Sequence, residues 1–189
     1  WSLFSVPEYN LSVEVPTYST VREMDGEGYQ NVWKTWFDPS PVYLSDGKYT
    51  TQNWLENLIG TMYVNFYPQI IPSKAGCDMN CLGEHYISVN IFSNSTNQNL
   101  DTVIANYRSG WEKGNVAEDV PSTNLQGDVV SKWGMNVWNF EASTPGGTTR
   151  GYVLIKGAYI YEVRYSLASN PSESYQIALK VIDSMKFGE

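Results

Sequence analysis

The sequence predicts an α+β fold, with helices packed on the faces of an antiparallel sheet of about five or more strands. Three observations predict it. Several runs rich in Tyr, Val and Ile are separated by turn residues, a short glycine turn joins two of these runs near the C-terminus, and two other segments repeat apolar residues at helical spacing.

The C-terminal hairpin is the first predicted element. Lys156-Gly157-Ala158 separates the runs 152–155 and 159–165. A glycine in such a short connection supplies the positive φ that a two-residue turn requires, so the two strands should be antiparallel neighbours.

A helix should follow the hairpin. Asn170 can cap its first free amides, Pro171 suits the first helical position, and Glu173 lies three residues after the cap. The apolar stripe of this helix comprises Tyr175, Ala178, Leu179, Ile182 and Met185, and Phe187 should complete the core.

A second helix is predicted further upstream, with Asn99 as its N-cap and Gly110 or Gly114 at its end. Its stripe comprises Leu100, Val103, Ile104, Tyr107 and Trp111. We expect five residues of the two stripes to be buried: Leu100, Ile104, Tyr107, Leu179 and Ile182.

The remaining strands are predicted from alternation and turn signals. The run 86–92 alternates Ile87, Val89 and Ile91 with Ser88 and Asn90, which is typical of a half-buried strand. The runs 127–132, 136–142 and 148–155 should form a meander, in which Pro145-Gly146-Gly147 joins the last two.

These elements together resemble the PsbP-like family. The resemblance rests on the strand 87–92, the helix opening Leu100-Asp101, the strands around Trp138 and Tyr152, the strand 156–165 and the ending 182–187. Phe4-Ser-Val-Pro7 and the run 9–16 are similar to the family's opening strand. The family includes an extrinsic photosystem II protein, a Ran-binding nuclear-import factor and many secreted bacterial proteins. The resemblance implies an α/β/α sandwich that docks on larger partners outside the cytoplasm.

Composition is that of one domain spanning 1–189, because 189 residues can bury a single substantial core and no linker divides them. Residues 26–83 match the family worst and should contain an insertion. The uncharged run 57–73 contains Asn, Gln and Pro, which argues against a membrane span. The first residue is Trp1 and not Met, which suggests a mature or trimmed chain. The family resemblance and the two cysteines imply a protein that is secreted, periplasmic or anchored to a surface as a lipoprotein.

Charge narrows the class of ligand. The formal net charge is -8 and the chain has no basic run, so nucleic acid is not an expected partner. We expect no cofactor. Glu23, Asp25 and Glu27 around Gly26 form a weak candidate site for a divalent cation such as calcium, and Glu118-Asp119 is a second acidic cluster, but neither has the spacing of a calcium loop.

The two cysteines, Cys77 and Cys81, are interpreted as a short-range disulfide in an oxidising compartment. The alternative is a metal site that adds His85, the only histidine, although its spacing is not that of common zinc sites.

The sequence favours a binding function over catalysis. It has no G-x-S-x-G elbow, Walker loop or G-x-G-x-x-G turn, so a hydrolase with a carboxylate-based site is only the third hypothesis. Fourteen tyrosines and seven tryptophans exceed what one core needs. Trp33, Trp36, Tyr43 and Trp54 fall in the insertion and are the candidate binding residues. A non-catalytic protein-binding or assembly module is therefore the first hypothesis, and a carbohydrate-binding domain using exposed Trp and Tyr is the second.

Overall fold

The computed structural model describes residues 1–16, 20–25, 58–65, 85–114, 124–144, 147–167 and 173–188. Its ten strands are β1 (Ser2–Val6), β2 (Leu11–Val15), β3 (Thr20–Asp25), β4 (Leu58–Asn65), β5 (His85–Ser93), β6 (Asn124–Lys132), β7 (Met135–Thr144), β8 (Gly147–Lys156), β9 (Tyr159–Leu167) and β10 (Lys186–Phe187). Within the same residues, two helices, α1 (Leu100–Gly114) and α2 (Glu173–Ser184), and a 3-10 turn at Pro7–Tyr9 complete the elements.

The strands form two antiparallel sheets. The larger sheet has seven strands in the order β3-β4-β5-β9-β8-β7-β6, and the smaller has three in the order β1-β2-β10. Strands β6 to β9 follow one another as the predicted meander. Strand β9 returns to pair with β5 over nine residues, so the two halves of the chain meet at the centre of the large sheet.

Both faces of the large sheet are covered, because side chains on successive strand positions point in opposite directions. On β9, Tyr161, Val163 and Tyr165 pack with α2 and the small sheet in one core. Ile160 faces a second core beneath α1, built on Trp138 and Phe140. The predicted α+β sandwich with helices on both faces is therefore confirmed.

Two two-residue turns of the described residues set the register of the meander. Gly157 has φ 59° between the paired residues Lys156 and Tyr159, as the sequence predicted. A turn that sequence analysis missed joins β6 to β7, where Trp133 and Gly134 both have positive φ, 53° and 74°. Positive φ at both positions is the geometry of a type I′ turn, in which a tryptophan is unusual because its Cβ is crowded there.

The predicted N-cap of α1 is confirmed, since the Asn99 side-chain oxygen accepts a hydrogen bond of 2.9 Å from the Thr102 amide. The proposed cap of α2, Asn170-Pro171, lies outside the described residues.

The predicted stripes were only partly right. Ile182 is fully buried, but Leu179 is half-buried and Val181 takes its place in the core. On α1, Val103 is buried, while Leu100, Ile104 and Tyr107 are half-buried. The reason is that α1 is an outer layer with only one flank on the sheet, so residues at the sides of its stripe keep some contact with solvent.

Candidate functional site

A polar cluster lies beneath α1 at the centre of the large sheet. Glu162 on β9 is only 1% exposed. One of its carboxylate oxygens accepts from the Asn90 amide group at 2.8 Å. The other accepts from the Tyr107 hydroxyl and lies 2.7 Å from the Arg164 guanidinium. Arg164 also donates to the Tyr107 hydroxyl oxygen at 2.8 Å, which closes a ring of three groups.

The elements of the sheet explain why these groups meet. Glu162 and Arg164 are two residues apart on β9, so both project toward α1. Asn90 is paired directly with Glu162 across β5 and β9. Tyr107 enters from α1, where its ring packs against Trp138 and Phe140 with centroids 5.3 and 5.4 Å away.

The electrostatics of this cluster keep Tyr107 and Arg164 protonated. Burial raises the pKa of the Tyr107 phenol well above its ordinary value, and the Glu162 carboxylate adds to that shift against the opposing effect of Arg164. Burial by itself would lower the pKa of Arg164, but the neighbouring Glu162 carboxylate and Tyr107 outweigh it and raise the pKa above its ordinary value. At neutral pH the phenol therefore remains a donor and the guanidinium remains charged.

The cluster can fix α1 on the sheet, because the Tyr107 hydroxyl of α1 bonds to both Glu162 and Arg164 of β9. A general base must have a lone pair directed at substrate. Here both Glu162 oxygens accept hydrogen bonds from within the protein. The arrangement is that of a buried structural network in which a charged side chain is matched by several donors.

The side chains around Trp138 are tightly packed on the same face of the sheet, beneath α1. The indole nitrogen of Trp138 is buried and has no hydrogen-bond partner among the described residues. A Cβ atom on Gly127 would lie 2.7 Å from that nitrogen and 2.4 Å from the Asn139 carbonyl oxygen, so the site requires glycine. Arg108 covers the indole at 5.7 Å and donates to the Gly127 carbonyl at 3.3 Å.

An open groove of about 710 Å³ lies over the β6–β8 end of the sheet, which we call the polar groove. Most of its lining is on the face of the sheet that also carries α2. The polar side chains on that face are Gln126, Asp128, Asn139, Glu141 and Arg150, and Arg108 of α1 also lines the groove. Arg150 and Glu141 are directly opposed on β8 and β7 and form an ion pair of 2.7 Å. Gln126, Asp128 and Asn139 are exposed. The groove therefore presents amide and charged groups on a sheet. This arrangement is suited to contact with the polar surface of a ligand.

A clamp between the β6–β7 turn and α2 borders this face. The Trp133 indole nitrogen donates to the Ile182 carbonyl at 3.0 Å, and its ring packs on Phe187 and Tyr152. Lys132 lies 5.0 Å above the Trp133 ring and pairs with Asp183 at 2.5 Å. These contacts hold the strained turn in place.

The structure does not test the binding residues that the sequence proposed. Trp33, Trp36, Tyr43 and Trp54 lie outside the described residues, as do Glu27, Glu118-Asp119, Cys77 and Cys81. Glu23 and Asp25 lie on β3, paired with Met62 and Gly60 of β4, and His85 opens β5 opposite Leu167. Among the described residues, no group of three or more His, Cys, Asp or Glu side chains could hold a metal ion. No helix in the described part of the chain is long and apolar enough to span a membrane.

Sequence analysis missed the buried cluster and the polar groove. One signal was available, since Glu162 and Arg164 interrupt an otherwise aromatic and aliphatic strand. Charged residues on a strand that is apolar on both sides indicate a buried pair. The partner Tyr107 is 55 residues away in sequence, and nothing local pointed to it.

Comparisons with known proteins show which solved structures have a similar fold. No family model and no curated protein matches the chain. Among solved structures, the chain is similar to cyanobacterial PsbP (CyanoP) from Synechocystis sp. PCC 6803, with a TM-score of 0.53 and 8% identity over 98% of this chain and 91% of that chain. It also matches LpqN, described as involved in cell envelope biogenesis of Mycobacterium tuberculosis, with a TM-score of 0.42 and 9% identity over 95% of this chain and 83% of that chain. The first likeness confirms the PsbP-like fold that the sequence resemblance predicted, and at this identity it shows the fold alone.

Proposed function

We propose that this chain is a non-catalytic, extracytoplasmic binding or assembly domain that docks on a protein partner. The fold supports this proposal, because the likeness to cyanobacterial PsbP extends over nearly the whole of both chains. The sequence resemblance is to a family with secreted members that act on larger partners, which supports a location outside the cytoplasm.

The observation that carries the proposal is that both oxygens of the buried Glu162 carboxylate are hydrogen-bonded within the protein. Active sites usually contain a titratable group whose environment poises it for proton transfer or attack. Here Tyr107 has a raised pKa and donates to Glu162, and the Glu162 oxygens are occupied by donors from within the protein. A buried cluster of this kind stabilises the fold, so we expect the functional residues to lie on the protein surface.

The polar groove is the part of that surface that we propose for docking. It combines the exposed side chains of Gln126, Asp128 and Asn139 with the Glu141–Arg150 ion pair. Fixed polar groups on a sheet give specificity through hydrogen bonds to a partner. Trp33, Trp36, Tyr43 and Trp54 remain proposed as the aromatic part of the binding surface, because such side chains supply much of the energy of protein interfaces.

The test is affinity capture from the source cells followed by binding of the purified candidate partner. Asn139→Arg places a long charged side chain in the polar groove. The matched control is Asn136→Arg, because Asn136 is also exposed and on β7 but faces the other side of the sheet. We expect at least a tenfold loss of affinity for Asn139→Arg and none for Asn136→Arg. Equal affinities for both variants would place the docking surface elsewhere.

A second pair of variants tests the aromatic residues. Trp33→Ala/Trp36→Ala and Tyr43→Ala/Trp54→Ala should weaken partner binding. The proposal that these side chains are exposed also predicts a change of only a few degrees in melting temperature, since exposed residues contribute little to stability. A glycan array run with the same variants separates the outcomes. Binding of one glycan class, lost in the Trp variants, would favour the carbohydrate-binding alternative over a protein partner.

The location is tested independently. Protease added to cells whose outer membrane, where they have one, has been permeabilised should digest the tagged full-length protein, while a cytoplasmic marker stays intact. Protection equal to that of the marker would contradict an extracytoplasmic location.

A further inference from the structure

The outer edge of β6 is regular and has no partner strand among the described residues. β6 is the last strand of the large sheet, and its nine residues pair with β7 without a bulge. Natural sheets usually protect such an edge with proline, bulges or covering segments, because its free backbone groups can pair with another strand. Val129 and Val130, near the middle of β6, are 50% and 36% exposed.

The direction of the free backbone groups follows from the hairpin register. Residues that flank a two-residue turn exchange both backbone hydrogen bonds, and this pattern alternates along antiparallel strands. Lys132 and Met135 flank the Trp133-Gly134 turn, so Lys132, Val130 and Asp128 bond to β7. Ser131, Val129 and Gly127 must then point their N–H and C=O groups outward. The Gly127 carbonyl confirms this direction, because it accepts from Arg108.

The side chains on this edge are self-complementary. Asp128, Val130 and Lys132 alternate along one face of the sheet. If a second β6 runs antiparallel with Val130 opposite its own copy, Asp128 of each chain lies opposite Lys132 of the other. Val129 of each chain then lies opposite Ser131 of the other as a hydrogen-bonded pair, and both residues have outward-pointing backbone groups. Arg108 already occupies the next outward carbonyl, at Gly127, so the paired segment is short.

We propose that β6 pairs with β6 of a second copy of this chain, forming a two-fold symmetric dimer in which the large sheets become continuous. The symmetry is that of an isologous interface, in which one patch meets itself. Lys132 can form ion pairs with both its own Asp183 and the facing Asp128, because an ammonium group has three N–H donors. This proposal uses the edge of β6 and does not rest on the proposed docking function.

The dimer should be weak. The pairing supplies few backbone hydrogen bonds, one valine contact and two ion pairs, an interface at the small end of the range for specific complexes. The net charge of -8 on each chain also opposes association at low ionic strength. We therefore expect a monomer–dimer equilibrium within the range from about 5 to about 500 μM at moderate salt.

Analytical ultracentrifugation over that range tests the proposal with two matched pairs of variants. Ser131→Pro removes an outward N–H that β7 does not use, and Ser131→Ala keeps it, so only Ser131→Pro should abolish the dimer. Asp128→Lys turns both ion pairs into repulsions and should raise the dimer Kd at least tenfold. Asn124→Lys places a lysine on the same face of β6, away from the facing lysine, and should change the Kd less than twofold.

Melting temperatures establish that each variant is folded, and if Ser131→Pro is not, the Asp128→Lys and Asn124→Lys pair decides the outcome. In the dimer, amide exchange at Val129 and Ser131 should also slow as protein concentration rises. A wild-type protein that remains monomeric at about 500 μM would overturn the proposal. So would a dimer that Asp128→Lys and Asn124→Lys weaken equally.

Discussion

Deleting the Tyr107 hydroxyl isolates the contribution of the buried cluster to stability. Tyr107→Phe keeps the aromatic ring on Trp138 and Phe140 and removes only the oxygen that joins Glu162 to Arg164. The Glu162 carboxylate keeps its bonds to Asn90 and Arg164, so its charge is not left unpaired. The loss is therefore that of two hydrogen bonds to charged groups, one donated to Glu162 and one accepted from Arg164.

The size of the effect follows from that count. A hydrogen bond to a charged group contributes about 1.5 to 3 kcal/mol to the free energy of unfolding. The two bonds together therefore contribute about 3 to 6 kcal/mol. For a domain of this length, each kcal/mol shifts the melting temperature by about 2 to 4 °C, so Tyr107→Phe should melt about 6 to 24 °C below the wild type.

The assay is urea unfolding monitored by circular dichroism, with Tyr152→Phe as the matched control. Tyr152 is a half-buried tyrosine on β8 that stacks on Tyr165, and its hydroxyl forms no hydrogen bond within the described residues. Its deletion should change the free energy of unfolding by less than about 0.5 kcal/mol. If the two variants were equally stable, the cluster would not hold α1 on the sheet and Glu162 would be open to another role.

Three further outcomes test other parts of the structure. Ile182→Ala should destabilise the fold by about 2 to 5 kcal/mol, and Leu179→Ala by clearly less, because Ile182 is fully buried and Leu179 is half-buried; equal losses would contradict the orientation of α2. Burial, with a smaller contribution from Tyr159, raises the pKa of Tyr161 to about 12. The stability that this shift contributes is present below the unfolded phenol's pKa of about 10 and is lost between about pH 10 and 12. In Tyr161→Phe the free energy of unfolding should therefore fall less steeply with pH in that range. Cys77 and Cys81 should form a disulfide in protein purified without reductant, and two free thiols by mass spectrometry would contradict that bond.

The sequence specified the fold well where structure depends on neighbouring residues. The Gly157 turn, the Asn99 cap and the alternation of β5 are local features, and each was predicted. The turn at Trp133 was missed because tryptophan has no preference for positive φ, and only its contacts with Ile182 and Phe187 hold it there.

The candidate sites were much less predictable, because they depend on distant residues. Glu162 meets Tyr107 only after β9 and α1 have packed, and the polar groove forms only after β6, β7 and β8 have aligned. Composition drew attention instead to Trp33, Trp36, Tyr43 and Trp54, whose role remains a prediction. A surplus of aromatic residues indicates a binding function but does not locate its surface.

Site-specific photo-crosslinking tests whether the polar groove of this proposed binding domain contacts a partner. A photoreactive side chain placed at Asn139, within the groove, should capture one defined protein when the source cells are irradiated. The same group at Asn136, on the opposite face of β7, should capture that protein at least tenfold less. Equal capture from both positions, or none from Asn139, would contradict the assignment of the groove as the docking surface.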